Sequence, residues 1–101
     1  MIVRLTYFAI LPNKLDEAKK FYLGEVVPTV KRQKGNLDCK LLEPVNKTDD
    51  FISMTVWETE EHANAYHSSG LYRQLVDSLR SSFVREPVLK VYSAESVLEP
   101  A

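Results

Sequence analysis

The sequence predicts an α+β fold in which helices cover one face of a four-stranded antiparallel sheet. Four short segments are rich in β-branched and aromatic residues, and two longer segments repeat apolar residues at helical spacing. These segments follow one another in the order β-α-β-β-α-β, the order of a split ferredoxin-like fold. A length of 101 residues predicts a single domain over residues 1–101.

The first strand is expected within residues 2–11, which are apolar on both alternating faces. One face carries Ile2, Thr6, Phe8 and Ile10, and the other carries Leu5, Tyr7, Ala9 and Leu11. A helix follows from about Lys14 past Val26, with Asn13 as its expected N-cap. Pro28 is expected to kink this helix or to open a second short one, and the helical segment is expected to end at Gly35-Asn36.

The two middle strands are expected at residues 37–43 and 51–57, as a hairpin with a polar loop at residues 46–50. Thr59 is the predicted N-cap of a helix that reaches His67. After an interruption at residues 68–70, Leu71, Leu75 and Leu79 mark a further helix, and residues 88–92 form the last strand.

Charge and cysteine content exclude several classes of partner. Thirteen basic and 14 acidic side chains give a net charge of −1, so no global field favours nucleic acid or an anionic membrane. The chain has no apolar segment approaching the roughly 20 residues of a membrane helix. The single cysteine, Cys39, is expected to be a small core residue, and a cytoplasmic location is expected.

No strong catalytic or metal-binding motif occurs in the chain. His62 and His67 are five residues apart on one helix, so their side chains point in different directions and a shared metal ion is not expected. The sequence therefore predicts no metal site.

Several local features together resemble one protein family. Residues 52–75 run from a strand through Trp57-Glu58-Thr59-Glu60-Glu61 into a helix, Leu11-Pro12 follows the first strand, and Glu86-Pro87-Val88 precedes the last. This pattern resembles the antibiotic biosynthesis monooxygenase family of the dimeric α+β barrel superfamily. The resemblance implies a homodimer in which two sheets pair through their open faces, and residues 94–101 are expected to reach the partner subunit.

The resemblance also argues against one branch of that superfamily. Its haem-degrading members carry an asparagine, a tryptophan and a haem-ligating histidine, which we place at Thr6, Tyr66 and Val76. All three are replaced here, and without an axial nitrogen the iron has no obvious ligand. The cofactor-free branch remains, so no cofactor is expected.

Members of the cofactor-free branch bind a quinol, phenol or anthrone in a dry pocket and assist its reaction with dioxygen. Such a site needs a base and hydrogen-bonding groups, and the catalytic candidates are His67, Tyr66, Tyr72 and Thr6. The candidates for binding a flat aromatic substrate are Phe8, Phe21, Tyr22, Ser53, Trp57 and His62. Arg4 or Arg85 is a further group able to stabilise an anionic substrate.

Two other functions remain open, because a fold does not determine a reaction. A non-catalytic dimeric ligand-binding or stress-response protein is one alternative, and its own aromatic side chains would fill the pocket. A small-molecule isomerase or sugar-phosphate-processing enzyme on the same scaffold is the other, and it would need a cluster of basic residues in the pocket.

Overall fold

Residues 1–95 are described by the computed structural model, and they form a four-stranded antiparallel sheet with helices. The strands are β1 (Ile2–Phe8), β2 (Asn36–Leu42), β3 (Phe51–Trp57) and β4 (Val88–Ser93). Their order across the sheet is β2-β3-β1-β4. This topology confirms the predicted ferredoxin-like fold.

The connection between β1 and β2 is one long helical segment with three kinds of turn. A 3₁₀ turn (Pro12–Lys14) leads into helix α1 (Leu15–Phe21), a π-helical stretch (Tyr22–Val26) and helix α2 (Val27–Lys31). Asn13 lies inside the first turn and caps nothing, so its prediction as an N-cap was wrong. Pro28 is the second residue of α2, as expected, and the wider π turn lies where proline would otherwise clash.

Helices α3 (Glu60–Ser68) and α4 (Leu71–Leu79) join β3 to β4. The backbone N–H of His62 donates to the hydroxyl of Thr59 at 3.2 Å, which confirms the predicted N-cap. Gly70 separates the two helices with a φ of +87°, a conformation that favours glycine.

The two faces of the sheet differ in burial. On β1 the side chains of Ile2, Arg4, Thr6 and Phe8 are buried against the helices, whereas Val3, Leu5 and Tyr7 on the other face are half-buried. The predicted faces of β1 are therefore confirmed, although the strand ends at Phe8 rather than near residue 11. Trp57 and Val30 are fully buried at the centre of the core, between sheet and helices.

The prediction for residues 94–101 lies mostly outside the described residues. Ala94 donates its backbone N–H to the carbonyl of Met1 at 2.9 Å, so the chain stays on its own sheet to that point. Within residues 1–95, no helix is long and apolar enough to cross a membrane.

Candidate functional site

A small apolar cavity lies between the helix-covered face of the sheet and helix α4. Its volume is about 40 Å³, enough for only a few water molecules. Leu75, Val76 and Leu79 of α4 form much of its apolar wall. Polar side chains also line it, and they belong to Arg4, Thr6, Tyr22, Ser53, Thr55, Tyr66 and Tyr72.

Arg4 is the unusual member of this lining, because it is a cation in the interior. Its side chain points from β1 towards the helices, and the residue is only 5% exposed. Its Nη2 donates to His67 Nδ1 at 2.9 Å. The guanidinium carbon lies 4.9 Å from the ring centroid of Tyr72 and 5.6 Å from that of Tyr66. We call Arg4, Thr6, Tyr66, His67 and Tyr72 the Arg4 cluster.

No carboxylate within residues 1–95 forms an ion pair with Arg4. Removing a cation from water costs several kcal/mol, and cation–π contacts of about 2 kcal/mol offset only part of that cost. Burial accordingly lowers the pKa of the Arg4 guanidinium, although Tyr72 and Tyr66 partly oppose the effect. The Arg4 cluster thus holds a positive charge without a matching negative one.

The hydrogen bond from Arg4 selects one tautomer of a neutral His67 ring. A guanidinium only donates, so Nδ1 of His67 must supply a lone pair, and the proton of the neutral ring lies on Nε2. His67 itself is exposed, and its ring lies 5.4 Å from that of Tyr72. The imidazole therefore connects a buried charge with solvent, but in this arrangement it has no free lone pair.

The remaining members of the Arg4 cluster are neutral hydrogen-bonding groups. The hydroxyls of Thr6 and Tyr72 are 3.2 Å apart. Tyr66 stacks on Trp57 with the ring centroids 4.8 Å apart, and burial raises the pKa of its phenol. Tyr66 is therefore a neutral phenol at ordinary pH.

A second polar group, the Tyr22 cluster, consists of Tyr22, Cys39, Ser53 and the carbonyl of Lys40. The hydroxyl of Tyr22 lies 2.6 Å from Ser53 Oγ and donates to the Lys40 carbonyl at 3.1 Å. The thiol of Cys39 is 3.5 Å away. Burial, followed by the nearby thiol, raises the pKa of Tyr22, and burial raises that of Cys39. Cys39 is 3% exposed, which confirms it as a core residue.

The sequence of the chain matches the family model described as antibiotic biosynthesis monooxygenase over residues 1–78. The chain belongs to this family. The search of curated proteins found no match.

Solved structures support the same fold for this antibiotic biosynthesis monooxygenase family member. A Deinococcus radiodurans protein superposes with a TM-score of 0.84 at 11% identity, covering 100% of this chain and 99% of its own. A Nitrosomonas europaea protein gives 0.78 at 17% identity, covering 93% and 98%. A Streptomyces coelicolor monooxygenase in complex with the ligand nanaomycin D gives 0.78 at 14% identity, covering 99% and 92%.

Within the family fold, the structure groups the four residues predicted as catalytic. Thr6, Tyr66, His67 and Tyr72 all lie in the Arg4 cluster. Their catalytic roles stay predictions. Thr6, Tyr66 and Val76, the positions of the haem-degrading residues, line the cavity together, and the side chain of Val76 has no atom able to ligate iron.

The residues predicted to bind substrate divide into two groups. Phe8, Tyr22 and Ser53 line the cavity. Phe21, Trp57 and His62 do not, and each has another place in the fold. Phe21 packs at the edge of the core, and Trp57 is fully buried with its Nε1 donating to Thr55 Oγ1 at 2.9 Å.

The ring of His62 contacts the Thr59 cap and packs closely on Gly35. A Cβ at Gly35, whose φ is +83°, would lie 2.2 Å from His62 Cγ, so only glycine fits at this contact.

Arg4 and Arg85, the two arginines predicted as able to stabilise an anionic substrate, lie in different environments. Arg85 is exposed and pairs with Asp50, whereas Arg4 is buried in the cavity wall. The sequence already indicated that Arg4 is buried, because Arg4 alternates with Ile2, Thr6 and Phe8 on the same face of β1. A charged residue among buried positions of an apolar strand is itself an indication of a site.

Proposed function

We propose that this family member is a cofactor-independent monooxygenase that oxidises a small aromatic molecule of the quinol, phenol or anthrone type with dioxygen. The observation that carries the proposal is the Arg4 cluster in the wall of an apolar cavity. The Streptomyces coelicolor monooxygenase, which has the same fold, is in complex with the ligand nanaomycin D, so a site for a small molecule is compatible with this fold.

In the proposed reaction the substrate supplies all the electrons. An anthrone-type substrate loses a proton to become an anion, which passes one electron to dioxygen. The two radicals then combine to form a carbon–oxygen bond, and the resulting peroxide anion takes back the proton lost in the first step to give a hydroperoxide. Loss of water breaks the oxygen–oxygen bond and leaves a new ketone. The protein must stabilise the anion and exclude bulk water, which Arg4 and the apolar wall are suited to do.

Such a substrate needs more space than the cavity offers, because sites for small molecules typically have roughly 300–1,000 Å³. Tyr72 and Val76 line the cavity and also an open surface depression of about 600 Å³ beside His67. We therefore propose that the substrate enters from this depression by displacing these two side chains. Tyr72 would then release its hydrogen bond to Thr6, which becomes free to bind a substrate hydroxyl.

The homodimer belongs to the same proposal. The open face of the sheet has no fully buried residue, and Val3, Leu5, Tyr7, Ile52, Met54 and Val56 form an apolar surface at its centre. Two exposed side chains on β4 extend this surface. Val88 is 52% exposed and Tyr92 is 50% exposed. A second copy of the chain would cover it, as contiguous apolar faces are rarely left in water.

Replacing Leu5 by glutamate tests the dimer directly. The substitution places a charge at the centre of the open face, so we expect the variant to elute as a monomer in size-exclusion chromatography. Val45→Glu is the matched control, because Val45 is fully exposed in the loop before β3. Equal elution volumes for Leu5→Glu and the parent protein would reject this interface.

One observation favours the non-catalytic alternative. The protein's own Tyr66 and Tyr72 partly fill the small cavity. The isomerase alternative is less well supported, because Arg4 is the single basic residue among the described lining. A cytoplasmic location stays a prediction.

Oxygen uptake tests the proposed function. Purified protein with EDTA, and without flavin, haem or metal, is supplied with a panel of hydroquinones and anthrones, against a control without protein. We expect protein-dependent uptake and, with ¹⁸O₂, one labelled oxygen atom in each molecule of product. Uptake equal to the control across the panel would favour the non-catalytic ligand-binding protein.

A further inference from the structure

We infer that Arg4 is an anion receptor, and that the ligand of this site is an aromatic molecule carrying an oxyanion, which replaces His67 as the acceptor of the Arg4 hydrogen bond. The aromatic part of this statement rests on the proposed function. The negative charge of the ligand follows from the structure alone. It concerns the binding of the ligand, not its reaction with oxygen.

The charges of the cavity wall are unbalanced. Arg4 is a buried cation, and no aspartate or glutamate of the described chain lines the cavity or pairs with the guanidinium. The aromatic faces of Tyr66 and Tyr72 attract the cation but accept no strong hydrogen bond from it. A ligand oxyanion would supply the missing charge and a good acceptor in one group.

The group that now accepts the hydrogen bond of Arg4 is one that a ligand can replace. His67 is a neutral acceptor on the exposed side of the cavity, and its contact with the guanidinium is one hydrogen bond of 2.9 Å. The present bond already has a charged donor, and an oxyanion acceptor adds the attraction between opposite charges that a neutral imidazole cannot supply. An oxyanion entering beside Tyr72 would therefore compete well for the same donor.

This exchange gives a defined path for a proton when the ligand arrives as a phenol. As the Arg4 N–H turns from His67 to the ligand oxygen, the lone pair of Nδ1 becomes free. The ligand O–H bond then breaks and an N–H bond forms at Nδ1, so His67 becomes a cation and the ligand an anion. Because His67 is exposed, it can pass the proton on to water.

Equilibrium binding under nitrogen separates this inference from the oxygenase proposal, because no turnover occurs. The probes are 2-naphthoate and its neutral isostere 2-naphthamide, measured by isothermal titration calorimetry, followed by 2-naphthol across its own ionisation. For the parent protein we expect naphthoate to bind about 10- to 100-fold more tightly than naphthamide, as for a hydrogen bond between charged groups. The affinity for naphthol should rise as the phenol ionises.

Arg4→Met keeps the length of the side chain and removes its charge, so the preference for naphthoate should disappear. Arg32→Met is the matched control, because Arg32 is exposed and does not line the cavity. Nitrogen-15 NMR of the histidine rings provides a second readout, in which naphthoate should shift the Nδ1 resonance of His67 and leave that of His62 unchanged.

Three results would overturn the inference: equal affinities for naphthoate and naphthamide, a preference for naphthoate that survives in a folded Arg4→Met protein, or binding of neither probe. Any of them can occur whether or not the protein consumes oxygen with a quinol. Failure of the anion site is therefore distinguishable from failure of the proposed function.

Discussion

The Arg4 cluster and the Tyr22 cluster lie on the same face of the sheet, and each contributes side chains to the wall of the same cavity. They differ in how fully their polar groups are paired. In the Tyr22 cluster one phenol hydroxyl contacts a serine hydroxyl, a backbone carbonyl and a thiol, all of them neutral. In the Arg4 cluster a buried guanidinium makes one hydrogen bond, to a neutral imidazole.

The difference indicates which cluster stabilises the fold and which is prepared for a ligand. A buried network whose members satisfy each other adds stability and rigidity. A buried charge without a counter-charge costs stability, and such costs concentrate at functional sites. The polar groups of the Tyr22 cluster, near β2, therefore satisfy one another, whereas the charge of the Arg4 cluster, near α4, has no counter-charge.

A large effect is expected on turnover, from His67→Gln. Glutamine offers an oxygen that accepts from Arg4 but cannot take up a proton, so we expect kcat to fall about 10²-fold, as is typical for loss of an acid–base group. The stability and the naphthoate affinity should remain those of the parent. Unchanged kcat for the quinol or anthrone that supports uptake would remove His67 from the proton path.

The next effect is on stability, from Tyr22→Phe. The change leaves the Ser53 hydroxyl and the Lys40 carbonyl without their shared partner, so the free energy of unfolding should fall by about 1–3 kcal/mol. Urea denaturation at neutral pH measures the loss. An unchanged midpoint and slope would mean that this network contributes nothing to stability.

A smaller effect is expected from alkaline pH. The pKa values of Tyr22, Tyr66 and Cys39 are raised in the folded protein, so the folded state holds these protons more tightly than the unfolded chain. Their contribution is complete below the ordinary pKa values, about 8.5 for cysteine and about 10 for tyrosine, and is lost as pH rises further. Urea midpoints should therefore decline above about pH 8.5, and less steeply for Tyr22→Phe.

The smallest expected change is in the stability of Arg4→Met. An apolar side chain of similar length avoids the cost of burying a charge, so the free energy of unfolding should stay the same or rise. The same urea titrations test this expectation. A clear loss of stability would show that the guanidinium is a structural part of the core, and it would weaken the contrast between the two clusters.

The sequence was sufficient for the topology because periodicity and capping depend on neighbouring residues. The Thr59 cap, the break at Gly70 and the faces of β1 were all predictable in this way. The failure at Asn13 has a local cause, because a 3₁₀ turn that starts at Pro12 takes the place of the expected cap.

The site was only partly predictable, because its contacts join residues far apart in sequence. Arg4 and His67 are separated by 63 positions, and Thr6 and Tyr72 by 66. Residue type selected His67, Tyr66, Tyr72 and Thr6, but the buried charge that they surround appears only once β1 is placed under α3 and α4. Residue type alone likewise did not distinguish Trp57, which lies in the core, from aromatic residues that line the cavity.

Oxygen uptake by the parent, Arg4→Met and Arg32→Met proteins, measured side by side on one hydroquinone or anthrone substrate, tests most directly whether the Arg4 cluster is the functional site. We predict uptake by the parent and by Arg32→Met, and a rate for folded Arg4→Met that approaches the protein-free control. A rate for Arg4→Met equal to that of the parent would contradict the assignment.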